Sequence, residues 1–202
     1  ATIHHTQAFR LSFDVVDALT GPAIGRAKSA TYRTADVVGL DTMAHVVKTM
    51  HDTLPDDPWH ALFATPPVLA ALVAQGALGA KTKAGFFRKV GKDIQVLDPV
   101  ARDYRKAEGQ VVPEVSEILK TKSPAEKFAK LRACPHPPAQ FLWATFRDLS
   151  HYSAYHLASI AENARDVDLA IRWGFGWQMG PFETWQAAGW GEVAKWINAV
   201  IA

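Results

Sequence analysis

The sequence predicts an all-α protein built from two tandem helical modules, with one small β-hairpin. Apolar residues recur at intervals of three and four along most of the 202 residues, as they do on one face of a helix. The exception is GFFRKVGKDIQVLDP, which alternates around Gly91-Lys92 and favours a hairpin at about Phe86–Leu97. We assign residues 1–98 to the first module, and residues 99–202 to a connector and a second, truncated module.

Capping residues and prolines predict where the helices begin. Asp41 is the expected N-cap of a helix that carries Met43, Val46, Val47 and Met50 on one face. Pro66-Pro67 after Thr65 predicts a second helix, and Ser123-Pro124 predicts a third, AEKFAKLRA. The longest helix is expected from about Ala139 to Ala164. The charged, unpatterned stretch between Pro99 and Pro113 is interpreted as a connector between the two halves.

The two halves of the chain share residues at matching spacing. In each half an aspartate precedes a glycine by eight residues, and a second glycine follows before a new helix. The matched pairs are Asp17 and Asp168, Gly25 and Gly176, and, if one residue is inserted in the first copy, Gly39 and Gly189. This pattern indicates an internal repeat of one helical module.

The stretch RWGFGWQMGPFETW has three glycines at almost the spacing of a dinucleotide-binding loop. That spacing is one residue too long, and the preceding segment reads as a helix, capped at Asp166, rather than a strand. We therefore interpret it as a corner in which Gly174 ends one helix and Pro181 starts the next. The aromatic residues expected to pack this corner are Trp173, Phe175, Trp177, Phe182 and Trp185.

Bulk composition excludes several classes of function. The 22 basic and 20 acidic residues nearly balance, so no basic surface for nucleic acid is expected. No apolar run approaches the roughly 20 residues that span a bilayer. A single cysteine, Cys134, and no visible signal peptide favour a cytoplasmic protein. Because the chain starts with Ala1 and ends within a helical pattern, we expect a piece of a longer protein.

Three separated motifs resemble the C-terminal region of 3-hydroxyacyl-CoA dehydrogenases. They are TADVVGLDT, KTKAGFF and RWGFGWQMGPFETW, against the family's D-x-V-G-L-D-T, K-T-G-x-G-F-Y and G-[FY]-x-M-G-P-F-E. Two tandem copies resemble the long bacterial enzymes fused to an enoyl-CoA hydratase. The resemblance implies two modules like the C-terminal domain of 6-phosphogluconate dehydrogenase. It also implies a non-catalytic portion of an NAD-dependent enzyme of fatty-acid β-oxidation, which shapes the acyl-CoA cleft and the assembly.

In the family, NAD and the catalytic His–Glu pair belong to an N-terminal Rossmann domain, and we find neither its glycine fingerprint nor its His-Phe-Phe-Asn-Pro stretch here. No catalytic, cofactor-binding or metal residue is therefore assigned, and NAD is expected only in the parent enzyme. The implied partners are the Rossmann domain and the acyl-CoA that it shares with this region. The family builds dimers from one such module, so a tandem pair is expected to be a monomer with an internal pseudo-dimer. The residues implied to border the acyl-CoA cleft are Gly21, Pro22, Gly180, Pro181 and Phe182.

The sequence departs from the family at two motifs. In the first copy Lys28-Ser29-Ala30-Thr31-Tyr32 replaces Met-Gly-Pro-Phe-Glu, and in KTKAGFF Lys83-Ala84 replaces Gly-x. A second hypothesis is accordingly a free-standing helical module that pairs with a separate dehydrogenase subunit. A third is that the chain binds acyl-CoA by itself. Basic residues around GFF could meet CoA phosphates, although a solvated turn explains them better.

Overall fold

The computed structural model describes residues 2–201, apart from the side chain of residue 201. These residues form ten α-helices and one small antiparallel sheet, which confirms the predicted all-α class. Three short 3₁₀ turns lie at Pro22–Ile24, His60–Phe63 and Ala80–Thr82. The helices are α1 Thr2–Ala8, α2 Phe13–Thr20, α3 Tyr32–Val38, α4 Leu40–Thr53, α5 Pro67–Ala74, α6 Pro113–Leu119, α7 Pro124–Ala133, α8 Pro137–Ile160, α9 Ala164–Phe175 and α10 Pro181–Ile201.

The sheet has the expected hairpin and one further strand. Strands β1 (Phe87–Val90) and β2 (Asp93–Asp98) pair antiparallel, with Val90 opposite Asp93. Strand β3 (Asp103–Lys106) then pairs with β2, so the stretch interpreted as a connector contributes a third strand that the sequence did not predict. The Asp98 carboxylate accepts the N–H groups of residues 100 and 101, and the resulting turn returns the chain to the sheet.

The described residues form two compact units. The first contains residues 2–18 and 29–110, and the second contains residues 19–28 and 111–201. In the first unit the rings of Phe13, Tyr32 and Phe86 are fully buried and contact one another, with centroids 4.5 to 4.8 Å apart. The core of the second unit joins α8 to α10 and contains Trp143, Phe146, Phe182, Trp185, Ala188, Val193 and Ile197.

One of the three N-caps predicted from the sequence is confirmed, and two are wrong. Ser123 caps α7 as predicted, since its Oγ accepts the N–H of Glu126. Asp41 is not a cap, because α4 begins at Leu40 and Gly39 occupies the N-cap position. Asp166 is not a cap either, because Asn163 precedes α9 and its Oδ1 accepts the N–H of Asp166.

The corner between α9 and α10 differs from the prediction in its glycine and in its packing. Gly174 lies inside α9, and Gly176 ends that helix with a left-handed φ of 64°. Pro181 begins α10 as predicted. Phe182 and Trp185 are buried, but Trp173 and Phe175 are 79% and 66% exposed. The aromatic packing prediction is therefore wrong for these two residues, which lie on the solvent side of α9.

Among residues 2–201, no helix combines the length and the apolar character needed to span a membrane.

Candidate functional site

Asp17 is buried and binds the start of α3. Its Oδ1 accepts the N–H groups of Thr31 and Tyr32 at 3.0 and 2.7 Å, and its Oδ2 accepts that of Arg33 at 3.0 Å. These N–H groups belong to the first turn of the helix, where no intrahelical acceptor exists. The carboxylate therefore replaces the missing acceptors and fixes the start of α3 against α2.

Asp168 does the same for the start of α10. Its Oδ1 accepts the N–H of Phe182 at 2.8 Å, and its Oδ2 accepts that of Glu183 at 3.0 Å. The following threonines also match, because Thr34 and Thr184 each donate to the carbonyl four residues earlier, at 2.6 and 2.7 Å. The matched glycines Gly25 and Gly176 are both left-handed, with φ of 74° and 64°. The two copies thus share a local structure as well as a spacing.

Two of the family-like motifs contact each other in the first unit. Asp36 of TADVVGLDT accepts the N–H groups of Phe86 and Phe87, in the GFF part of KTKAGFF, at 2.9 and 2.8 Å. Asp41 of the same motif forms an ion pair with Lys81 at 2.6 Å. Both motif acids therefore hold the hairpin and its preceding turn to α3 and α4. Of the basic residues around GFF, Lys81 is thus paired with a carboxylate of its own chain.

Burial raises the pKa of the three aspartates that bind backbone N–H groups in these contacts, Asp17, Asp36 and Asp168. It raises the pKa of Asp17 and of Asp36 to about 6, although the donated N–H groups act in the opposite direction. Burial likewise raises the pKa of Asp168. Burial would also raise the pKa of Asp14, but the bidentate Arg105 guanidinium, at 3.0 and 3.1 Å, and two backbone N–H groups hold it well below its usual range.

A cavity of about 270 Å³ in the second unit contains two of the five residues implied to border a cleft. Pro22, in the 3₁₀ turn after α2, and Pro181, at the start of α10, both line it. Gly180 instead packs against Asp168, where a Cβ would overlap the carboxylate. Phe182 belongs to the hydrophobic core. Gly21 is buried beside Pro22 and does not line the cavity.

A histidine–glutamate pair lies elsewhere in the second unit. His136 Nε2 is 3.0 Å from Glu114 Oε2, and the buried Cys134 Sγ is 3.7 Å from Glu114 Oε1. The sequence analysis missed this pair because 22 residues separate its members, and no local spacing signals the contact. Both side chains are largely exposed and line no part of the cavity, which leaves no enclosed place for a substrate.

Within residues 2–201, no three His, Cys, Asp or Glu side chains are grouped to hold a metal ion. Asp148, which the sequence places one turn before His151, forms an ion pair with Arg147 at 2.6 Å.

Comparison with known proteins relates the first half of the chain to a known family. The model of the 3-hydroxyacyl-CoA dehydrogenase, C-terminal domain, matches residues 2–89. A protein of Bacillus subtilis (strain 168), named as a probable 3-hydroxyacyl-CoA dehydrogenase, is 39% identical over 86% of this chain and 22% of its own length. One of Deinococcus radiodurans with the same name is 42% identical over 43% of this chain and 24% of its own length.

A more distant relative is a Rickettsia felis protein named "Putative fatty acid oxidation complex trifunctional enzyme". It is 24% identical over 92% of this chain and 25% of its own length. No solved structure matches the chain significantly. The chain thus spans about a quarter or less of the length of these curated relatives. From the family match and the two motifs that lie within it, we conclude that residues 2–89 carry the C-terminal type of domain of the 3-hydroxyacyl-CoA dehydrogenase family.

Proposed function

We propose that this chain is a non-catalytic C-terminal portion of an NAD-dependent 3-hydroxyacyl-CoA dehydrogenase of fatty-acid β-oxidation, which shapes the acyl-CoA cleft and the assembly. The observation that supports the proposal is that the aspartates of the family-like motifs, and Asp168 of the second copy, bind other parts of the chain. Asp36 and Asp41 bind the backbone and a lysine of KTKAGFF, and Asp168 binds the backbone of the Gly180–Glu183 segment. These acids stabilise the fold of this chain, and the proposal assigns catalysis to another domain of the parent enzyme.

The nicotinamide and the catalytic His–Glu pair are assigned by this proposal to the Rossmann domain of the parent enzyme. The Glu114–His136 pair resembles such a centre only in residue type, because both side chains are about half exposed. Water screens the charges of an exposed pair, and such a pair gives little control over proton transfer. The names of the relatives support the dehydrogenase class.

The first test measures NADH oxidation at 340 nm with acetoacetyl-CoA and the purified chain. We expect the absorbance to stay flat while circular dichroism shows folded helix. Turnover above a heat-killed control would contradict the non-catalytic role, and loss of that turnover in His136→Ala would assign it to the Glu114–His136 pair.

A second test measures whether the chain supports catalysis on another domain. The Bacillus subtilis relative is prepared without the segment that aligns with this chain, and again with this chain fused in its place. We expect the truncated enzyme to be inactive and the chimera to oxidise NADH. A chimera that folds and binds acetoacetyl-CoA no better than the truncated enzyme would contradict a role in shaping the cleft.

The proposal includes the oligomeric state. If the family forms dimers from one module, two tandem copies in one chain would take the place of two subunits. We therefore expect this chain to be a monomer.

A further inference from the structure

The cavity of the second unit is lined largely by apolar side chains from several elements. Helices α7 and α8 contribute Phe128, Leu131, Leu142 and Phe146, and Pro22 and Pro181 lie on the turns beside them. Its volume of about 270 Å³ is close to the lower end, about 300 Å³, of pockets that hold small molecules. A space of this size accommodates a medium-length alkyl chain and excludes an entire coenzyme A thioester.

Two cations line this cavity without a counter-ion. They are Arg26, on the turn after α2, and Lys127, on α7, and no aspartate or glutamate is among the described residues that line it. The charged side chain of neither residue forms an ion pair or a hydrogen bond in the part of the chain that the structure describes. By contrast Lys130, three residues further along α7, pairs with Glu126 at 2.6 Å.

The Arg26 guanidinium is held in place by an aromatic ring. It stacks on Trp177 with 3.7 Å between its central carbon and the ring centroid, and its in-plane N–H groups have no acceptor among residues 2–201. Burial without a compensating charge lowers the pKa of Arg26 to about 10, which still leaves the group positive at neutral pH. A planar guanidinium of this kind matches a carboxylate, which accepts two parallel N–H bonds.

A buried hydroxyl on α8 also lacks a partner. Thr145 lines the cavity and is 6% exposed, and its Oγ1 has no hydrogen-bond partner among the described residues. Buried polar groups are normally paired, because an unpaired one loses its hydration without compensation. A polar ligand atom in the cavity would supply the missing partner.

We propose that this cavity binds a medium-chain fatty acid, with its alkyl chain between α7 and α8 and its carboxylate at Arg26 and Lys127. The apolar walls favour the chain, the two unpaired cations favour a negative head group, and the Thr145 hydroxyl adds a neutral polar group to the wall. This site is separate from the Glu114–His136 pair and needs no other domain of the parent enzyme.

The experiment is isothermal titration calorimetry of the intact chain with octanoate. Octanol and octyltrimethylammonium serve as ligands with the same chain and a neutral or positive head group. We expect octanoate to bind at least tenfold more tightly than octanol, and we expect no binding of the ammonium compound. Equal affinities for octanoate and octanol would overturn the proposal, because the cations would then play no part.

A matched pair of lysine variants tests the position of the carboxylate. Lys127→Met and Lys130→Met remove the same charge from the same helix, but only Lys127 lines the cavity. We expect the octanoate affinity to fall at least fivefold in Lys127→Met and to stay within twofold of the wild type in Lys130→Met. Equal losses in both variants would indicate a general charge effect and would overturn the proposed site.

Two further arms complete the test. Thr145→Val, which keeps the shape of the side chain without its hydroxyl, is expected to weaken octanoate binding while the thermal midpoint is unchanged or raised. Octanoyl-CoA and free CoA are titrated in parallel, and we expect neither to displace octanoate. If free CoA displaces it, the cations bind phosphate groups and the assignment to a fatty acid is wrong.

Discussion

At the scale of single residues, Lys83 adopts a backbone conformation that lysine rarely takes. Its φ is 62° and it closes the 3₁₀ turn Ala80–Thr82, at the position where the usual family motif has glycine. A left-handed conformation costs a residue with a Cβ about 1 kcal/mol or more, and glycine adopts it without that cost. We therefore expect Lys83→Gly to raise the free energy of unfolding by about 1 kcal/mol in urea denaturation.

A lysine in extended backbone provides the control for this prediction. Lys89 lies in β1 and is exposed, and Lys89→Gly removes the same charge and side chain. Glycine in a strand loses more conformational entropy on folding than lysine does. The free energy of unfolding of this variant should therefore fall by roughly 0.5–1 kcal/mol. If both variants lost stability alike, strain at Lys83 would be ruled out.

Gly180 is required for close packing. A Cβ at this position would overlap the Asp168 carboxylate, which binds the start of α10. Gly180→Ala must displace that carboxylate or the helix start, and we expect a loss of about 2–3 kcal/mol in the free energy of unfolding.

Gly174 makes a matched comparison for Gly180. It lies inside α9, and a Cβ there would meet no atom within 4 Å. The free energy of unfolding of Gly174→Ala should therefore rise by a few tenths to about 1 kcal/mol, because alanine has the higher helix propensity. Similar stability of the two variants would show that the contact between Gly180 and Asp168 is easily relieved.

At the scale of secondary-structure elements, local signals predicted what depends on neighbouring residues. Pro124 and Pro181 each stand at the start of a helix as expected, and the Gly91-Lys92 hairpin forms. Strand β3 was missed because DYRK has no alternating apolar pattern, and only its pairing with β2 makes it a strand. Contacts between distant segments, such as Asp36 with Phe86, leave no spacing in the sequence that would predict them.

The anchoring of the hairpin by Asp36 can be tested with the internal repeat. Asp36 stands three residues before Gly39, and Gln186 stands three residues before the matched Gly189. Asp36→Ala leaves the N–H groups of Phe86 and Phe87 without their acceptor. Since an unpaired buried N–H costs about 1–3 kcal/mol, we expect a loss of about 2–5 kcal/mol in urea denaturation.

Hydrogen exchange shows where this stability is lost. In Asp36→Ala the amides of Phe86 and Phe87 should exchange faster than in the wild type. Gln186 is exposed, so Gln186→Ala should change the free energy of unfolding by less than about 0.5 kcal/mol and leave both amides protected. Unchanged protection in Asp36→Ala would mean that the sheet holds the hairpin without the aspartate.

At the scale of the whole molecule, the spacing of a few residues predicted the repeat, but the sequence could not show what those residues do. The matched aspartates proved to be helix-binding groups, and their burial followed from tertiary packing. The cleft residues were implied by resemblance alone, and only Pro22 and Pro181 share a cavity. Its two cations come from segments about 100 residues apart, Arg26 and Lys127, and no sequence pattern joins them.

The last prediction concerns the number of chains in solution. The proposed role of the tandem copies predicts a monomer, whereas the exposed Trp173 and Phe175 provide an apolar surface of the kind found at protein interfaces. Size-exclusion chromatography with light scattering at micromolar concentration should give the mass of one chain. A mass of two chains that returns to one in Trp173→Ser would show that this aromatic surface joins copies. The monomer prediction would then be wrong.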